Sequence, residues 1–248
     1  MNLDDNCSPC RSCGDEQPLP GGTGTPLAAS GDGCPWPPEL ACLAQHAQNC
    51  FRDARGSHGW DHTLRVYRLC ERIGRAENAD LGVLRAAALL HDIGRREEDG
   101  CQGRICHALR GAELARPLVN DLDMSPGQRD NILHCIRTHR YRGNQRPETL
   151  EAQVLFDADK LDSIGAVGVG RAFLFAGEVG ARLHNPDADP SLAVTYGPDD
   201  TGYREYIVKL QHIRDRILTS EGRRLAGQRH DFMVRFFNIF LDEFDGKR

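Results

Sequence analysis

No stretch of this 248-residue chain approaches the ~18 consecutive apolar residues of a membrane-spanning helix. The N-terminus also lacks the basic stretch and apolar centre of a secretory signal. Together these absences predict a cytoplasmic protein with no membrane partner. Positive charge is in deficit: 31 Lys and Arg face 36 Asp and Glu, the net charge is −5, and the pI is near 6.1. Gripping a nucleic-acid backbone draws on a basic excess, so no nucleic-acid partner is expected. Strand-like alternation and internal repeats are missing too. What remains is helical periodicity, and the fold class read from it is all-α.

Ten cysteines would suggest disulfides in a small secreted protein, but without an export signal that reading loses its compartment. Cys42, Cys50, Cys70 and Cys135 fall in predicted helices and read as small buried hydrophobes. Residues 1–37 are rich in Gly, Pro, Ser and Asp and poor in aliphatics, and they read as a flexible tail. In that tail Cys7-x2-Cys10-x2-Cys13, followed by Cys34-Pro35, has the beginning of an iron–sulfur spacing; zinc is an alternative. The tail lacks the aliphatics that shield a cluster, so exposed thiols are the competing reading.

From residue 38 onward the chain reads as one helical domain, 38–248. Helices are expected over Glu39–Asp53, from an Asp61 cap to about Arg75, over Ala79–Ile93, Ala112–Val119 and Pro126–His139. A long apolar helix follows over Glu148–Gly177, and two more over Tyr203–Leu218 and Glu221–Phe244. Ser125 before Pro126 is an N-cap signature. Val66, Leu69, Cys70 and Ile73 share a face with His62, and Asp159 shares one with Leu155, Asp162 and Ala166. Gly165, Gly168 and Gly170 predict close packing or a bend. Residues 185–201 read as an irregular loop long enough to border a site.

The most informative pair is His91-Asp92 in Leu89-Leu90-His91-Asp92-Ile93-Gly94, at the end of a buried helix that Gly94 stops. Burying two ionisable groups there costs several kcal/mol unless an ion partner or a metal compensates. His62 lies upstream in Gly59-Trp60-Asp61-His62-Thr63-Leu64-Arg65-Val66. Asp159 lies downstream in Asp157-Ala158-Asp159-Lys160-Leu161-Asp162.

The order His, adjacent His-Asp, distant Asp, each on its own helix, resembles the HD superfamily of metal-dependent phosphohydrolases over about Pro38–Asp245, with an HD core at about 58–163. The run Arg223-Arg224-Leu225-Ala226 with Arg229-His230-Asp231-Phe232-Met233 resembles the C-terminal helices of small bacterial members. The resemblance implies an HD-type helical bundle in which His62, His91, Asp92 and Asp159 hold one divalent ion. Such a His/carboxylate set suits Mn²⁺, Fe²⁺, Co²⁺, Ni²⁺ or Zn²⁺. His107 and His139 stand where two-metal members carry further histidines, and they either hold a second ion or donate to substrate phosphate. Asp92 would bridge ions or accept a proton.

Arg95 is a candidate phosphate contact, its competing role being an exposed pair with Glu97, Glu98 or Asp99. Lys160 is another, unless it pairs with a surface carboxylate, and Arg65 is a third. Asp162 is expected to orient a ligand. His58, His134, His184, His212 and His230 read as structural or surface residues. The reaction implied is hydrolysis of a phosphoester or phosphoanhydride in a small phosphate compound such as a nucleotide. A cyclic-nucleotide phosphodiesterase and a non-catalytic nucleotide sensor are the alternatives; the Gly-Tyr-Pro element of the HD-GYP branch is absent.

Removing residues 1–37 is expected to leave the thermal midpoint and any hydrolytic activity nearly unchanged, because that tail has little apolar surface to bury. Differential scanning calorimetry and an assay of the truncated chain check this. Loss of a cooperative transition would put the domain boundary in the wrong place.

Overall fold

The computed structural model describes residues 36–51, 59–101, 104–140 and 145–248. The cysteine positions 7, 10, 13 and 34, residues 52–53 and His58 lie outside the described residues. Among those described, the elements are helical: α1 Ala41–Cys50, α2 Trp60–Glu77, α3 Leu81–Leu90, α4 Arg95–Gly100, α5 His107–Asn120, α6 Pro126–Thr138, α7 Leu150–Asp162, α8 Gly165–Glu178, α9 Gly202–Val208 and α10 Ser220–Phe244. The fold is all-α.

The core is a bundle in which α2 packs on α3 and α7, and α6 packs on α3, α5 and α7. α8 and α10 lie together, and both also pack on α7. Val83 to Leu90 in α3 is buried all round except at Arg85, which is half-buried and ion-paired to Glu71 at 2.6 Å. That explains why α3 reads as an unbroken apolar run: a helix with neighbours on every side has no polar stripe.

Side-chain caps fix where several helices begin. The Asp80 carboxylate accepts from the Gly82 and Val83 amides at the start of α3. Ser125 and Gln128 form a reciprocal capping box on α6, and Thr149 caps α7. The α2 cap is Gly59; Asp61 sits inside the first turn, where its charge favours the positive end of the helix. α5 starts earlier than its apolar pattern suggests, at His107.

Two stretches that read as continuous helices are broken. Residues 148–177 form α7 and α8 separated by a corner at Ser163-Ile164, where Ile164 is extended and Gly165 takes φ +79°. Only glycine enters that region cheaply. Ser163 Oγ donates to the Lys160 carbonyl at 2.7 Å, and a side chain at Gly168 would meet the Ser163 carbonyl at 2.2 Å. The glycines therefore mark a sharp corner, and Ala166 lies beyond it, exposed and off the Asp159 face. The second break follows α9, where Lys209 leaves helical geometry and short 3₁₀ turns at Leu210–His212 and Arg214–Arg216 carry the chain on.

Cys70 and Cys135 are buried, as small hydrophobes would be, whereas Cys42 is exposed and Cys50 half-buried. α1 is a surface helix that buries only Leu43, Ala44 and Ala47, so these two thiols fall off its inner face.

The α3–α4 turn is pressed onto α5. A Cβ at Gly94 would lie 2.5 Å from the His107 carbonyl and 2.6 Å from the Gly111 amide nitrogen. Gly94 thus permits backbone contact rather than ending α3, which stops at Leu90. Gly94→Ala is expected to destabilise the fold by about 1–3 kcal/mol through overpacking, with Tm falling about 2–4 °C for each kcal/mol. A melt indistinguishable from wild type would show that the contact is slack.

Candidate metal centre

Helix ends, rather than helix middles, carry the candidate residues. His62 is in the first turn of α2, His91-Asp92 follow the last turn of α3, His107 opens α5, His139 follows α6, and Asp159 is near the end of α7. Side chains at an end can turn inward without displacing a neighbouring turn. Four imidazoles and two carboxylates thereby meet inside the bundle.

Asp92 is the hub. Its Oδ2 is 3.7 Å from His62 Nε2 and 3.8 Å from His91 Nε2. Its Oδ1 is 3.1 Å from His107 Nε2 and 3.5 Å from His139 Nε2. Asp159 Oδ1 approaches His62 Nε2 at 3.4 Å. Two groups with ligand atoms mutually within 4.8 Å result among the described residues, His62–His91–Asp92 and Asp92–His107–His139, and each could hold a metal ion. They share Asp92.

Each imidazole is aimed by its other nitrogen. His91 Nδ1 donates to the Ala88 carbonyl at 2.8 Å, and His139 Nδ1 to the Ile136 carbonyl at 2.7 Å. His62 Nδ1 donates to Asp162 Oδ2 at 2.8 Å, and His107 Nδ1 to Glu98 Oε2. A carbonyl only accepts, so in the neutral rings of His91 and His139 the inward Nε2 is a bare lone pair. Burial drives the His91 pKa down to about 4 and lowers that of His139, which keeps both neutral.

The fit to a cation follows from this proton placement. His91 Nε2 faces His62 Nε2 at 3.3 Å, and His107 Nε2 faces His139 Nε2 at 3.1 Å. Lone pairs set against each other, beside two buried carboxylates, repel unless positive charge lies among them. Burial opposes ionisation of Asp92, yet the Arg95 guanidinium beside it leads the effects that hold its pKa well below the usual carboxylate range. Asp159 is likewise held low against its burial, by Lys160 and His62. For His62 burial is outweighed by hydrogen bonds to Asp159 and Asp162, and its pKa rises. The neutral rings of His91 and His139 beside ionised carboxylates are the donor state that a divalent metal needs, and a cation in place of the proton would relieve His62.

The remaining predicted residues take definite places. Asp162 receives His62 Nδ1, Arg65 Nε at 2.7 Å and Arg171 Nη1 at 2.7 Å. Arg65 is therefore committed to holding that carboxylate. Arg95 does not join a surface pair: its Nε donates inward to Asp92 Oδ2 at 2.9 Å, while Glu97 pairs with Arg110 and Glu98 with His107 and Arg140. Lys160 pairs with adjacent Asp159 at 2.7 Å rather than with a surface carboxylate. His134 accepts from the Glu148 amide at 3.1 Å, and the ring of His184 stands edge-on among Tyr203, Phe240 and Phe244.

A cavity of about 740 Å³ borders His62, His139 and Asp159. Its lining carries seven Lys and Arg side chains against three carboxylates, a balance suited to an anion. His212, expected to be structural or superficial, is among the lining residues, as are Arg140, Arg171 and Arg204, which the sequence did not single out. Their positions depend on packing between distant segments. Glu98, three residues after Arg95, could have been noticed as an acid near His107, but no spacing rule pointed to it.

The HD domain family matches residues 59–164. YpgQ of Bacillus subtilis (strain 168) is 33% identical over 194 residues, which cover 76% of this chain and 85% of YpgQ. The chain belongs to the HD superfamily. Among solved structures, the HD fold seen here is similar to Bacillus subtilis YpgQ in complex with ADP, at TM-score 0.63 and 29% identity over 83% of this chain and 94% of that one. It is also similar to an HD superfamily hydrolase from an uncultured Thermotogales bacterium, at TM-score 0.61 and 27% identity over 84% and 94%. Ribonuclease Y of Chloroflexus aurantiacus is 33% identical over 111 residues, only 19% of that enzyme. No helix among the described residues is long and apolar enough to cross a membrane.

His91→Ala leaves the Asp92–Arg95 pair intact and is expected to retain helical circular dichroism while losing bound divalent metal. Metal content by inductively coupled plasma mass spectrometry and far-ultraviolet dichroism, measured on one preparation, check both halves. Full metal occupancy in the variant would remove His91 from the ligand set.

Proposed function

We propose that this HD protein is a metal-dependent phosphohydrolase that cleaves a phosphoester or phosphoanhydride of a nucleotide or another small phosphate compound. The observation that carries the reading is the juxtaposition of inward-facing imidazole and carboxylate donors with a cavity whose charged lining is mostly cationic. The ADP bound by YpgQ supports a nucleotide as the ligand class. In this reading His62, His91, Asp92 and Asp159 hold the first ion.

His107 and His139 are assigned to a second ion with Asp92 Oδ1, in preference to substrate phosphate. A neutral His139 has one N–H, and the Ile136 carbonyl takes it. It has nothing left to donate to a phosphate oxygen. Divalent ions in such sites acidify water and polarise phosphoryl oxygens. The chain's own part is to keep His91 and His139 neutral, to aim all four imidazoles, and to place cations where phosphoryl charge accumulates. Arg95 and Lys160 each touch a proposed ligand carboxylate and border the cavity, which suits them to neutralising that charge. Asp162, gripped by Arg65 and Arg171, holds His62 in register.

The decisive experiment is a screen of nucleotides and other phosphate compounds with Mn²⁺, Co²⁺, Ni²⁺ and Mg²⁺, scoring orthophosphate and pyrophosphate release separately. The partial likeness to ribonuclease Y makes an RNA oligomer a useful further substrate. No turnover with any metal would sink the reading.

Arg95→Ala is expected to lower kcat/KM for phosphate substrates roughly ten- to more than a hundredfold, equivalent to ~1.5 to 3 kcal/mol for a charge-assisted contact. Metal content should stay intact. Arg95→Lys should recover part of the loss, since it restores charge without the two-pronged geometry. Steady-state kinetics with metal analysis check this, and wild-type kinetics in Arg95→Ala would take Arg95 out of the site.

A further inference from the structure

We infer that Tyr196 and Phe175 form a ring-binding corner at the substrate cavity, so that the phosphate compound selected there carries a flat aromatic base. The inference rests on the phosphohydrolase reading and adds to it the part of the ligand that lies away from the reacting phosphate.

Tyr196 is 69% exposed, although it lies in an ordered knot of chain. It takes φ +62°, a left-handed conformation that is uncommon for a residue with a bulky side chain. Three hydrogen bonds hold the knot: the Tyr196 amide donates to Asp200 Oδ2 at 2.7 Å, the Gly197 amide to the Val194 carbonyl at 3.2 Å, and the Asp200 amide to the Gly197 carbonyl at 3.1 Å. An aromatic ring kept largely in water by a constrained backbone is not serving the core.

Its ring meets that of Phe175 of α8, with centroids 5.9 Å apart and planes inclined at 66°. Both residues line the same cavity as His62, Asp159 and Lys160. Two rings set edge to face leave a corner in which a third flat ring can lie on one face and meet the edge of the other, the arrangement that aromatic quadrupoles favour. Inorganic phosphates and sugar phosphates have no group to fill it, whereas a nucleobase does.

Asp200 ties this corner to the charged lining. Its Oδ2 holds the Tyr196 backbone, while its Oδ1 accepts Arg204 Nη1 at 2.8 Å. Arg204 is only 9% exposed, lines the cavity, and has an Nε buried without a hydrogen-bond partner. A guanidinium in the cavity lining places positive charge where oxygen acceptors of the same ligand would lie. One carboxylate thus fixes both the ring corner and a cation beside it.

The test compares kcat/KM for ATP with that for inorganic tripolyphosphate, which has the anionic chain but no ring, using the full chain with Mn²⁺. Tyr196→Gly suits the left-handed backbone, so it removes the ring without adding strain. The ATP-to-tripolyphosphate ratio is expected to fall about tenfold, as for loss of one stacking contact to a base, mainly through KM, and Tyr196→Phe should restore it. An unchanged ratio, or an equal fall for both substrates, overturns the corner. If wild type turns over neither compound, the phosphohydrolase reading is judged by the wider substrate and metal screen, and calorimetric affinities for ADP and pyrophosphate judge the corner instead. Loss of ADP preference in Tyr196→Gly then supports it, and an unchanged preference overturns it.

Discussion

The arrangement of this protein turns on the demand for positive charge around Asp92. Its carboxylate is almost wholly enclosed, each oxygen faces a different pair of imidazoles, and the ring protons that could have served as donors point outward to carbonyls and carboxylates. Arg95 answers part of that demand from within the chain. The bundle is consequently organised around helix ends: α2, α3, α5, α6 and α7 all bring a terminus or last turn to this one point, and Gly94 lets α5 come close enough to deliver His107.

The segment Asp157–Asp162 shows how one short stretch divides its work. Asp159 faces the imidazoles, Asp162 grips His62 through Nδ1, and Asp157 turns the other way to accept from the Leu218 amide and from the Thr219 amide and hydroxyl. Burial pushes the Asp157 pKa up even with these donors. Three aspartates within six positions of one helix therefore serve the centre, the aim of its histidine, and the attachment of α10.

Much of this was legible in the sequence for a physical reason. His62, His91, Asp92 and Asp159 stand out because ionisable groups beside aliphatic runs are costly, and the structure brings them together with His107 and His139. The fold class was readable because helical periodicity runs nearly the length of the domain. The α7–α8 corner was not, since Gly165, Gly168 and Gly170 signal a departure from regularity without saying whether the helix bends or stops. Nor could the sequence show that Arg65 is spent on Asp162, that Lys160 turns back on Asp159, or that Arg171, Arg204 and Tyr196 share a cavity. Apart from the Lys160–Asp159 pair, those relations join residues tens of positions apart, and the packing of α2 and α8 on α7, with Tyr196 set against Phe175 of α8, creates them.

The Asp157 clasp also bears on the order in which the molecule can be completed. The span that matches the HD domain family stops at residue 164, yet the donors for Asp157 are made more than fifty residues later, at Leu218 and Thr219. During synthesis α7 must wait with a carboxylate bound for the interior but still lacking its partners, and Asp159 waits on the same helix. The family segment by itself contains every residue of the donor set, yet it leaves Asp157 without the donors that the chain supplies from Leu218 and Thr219.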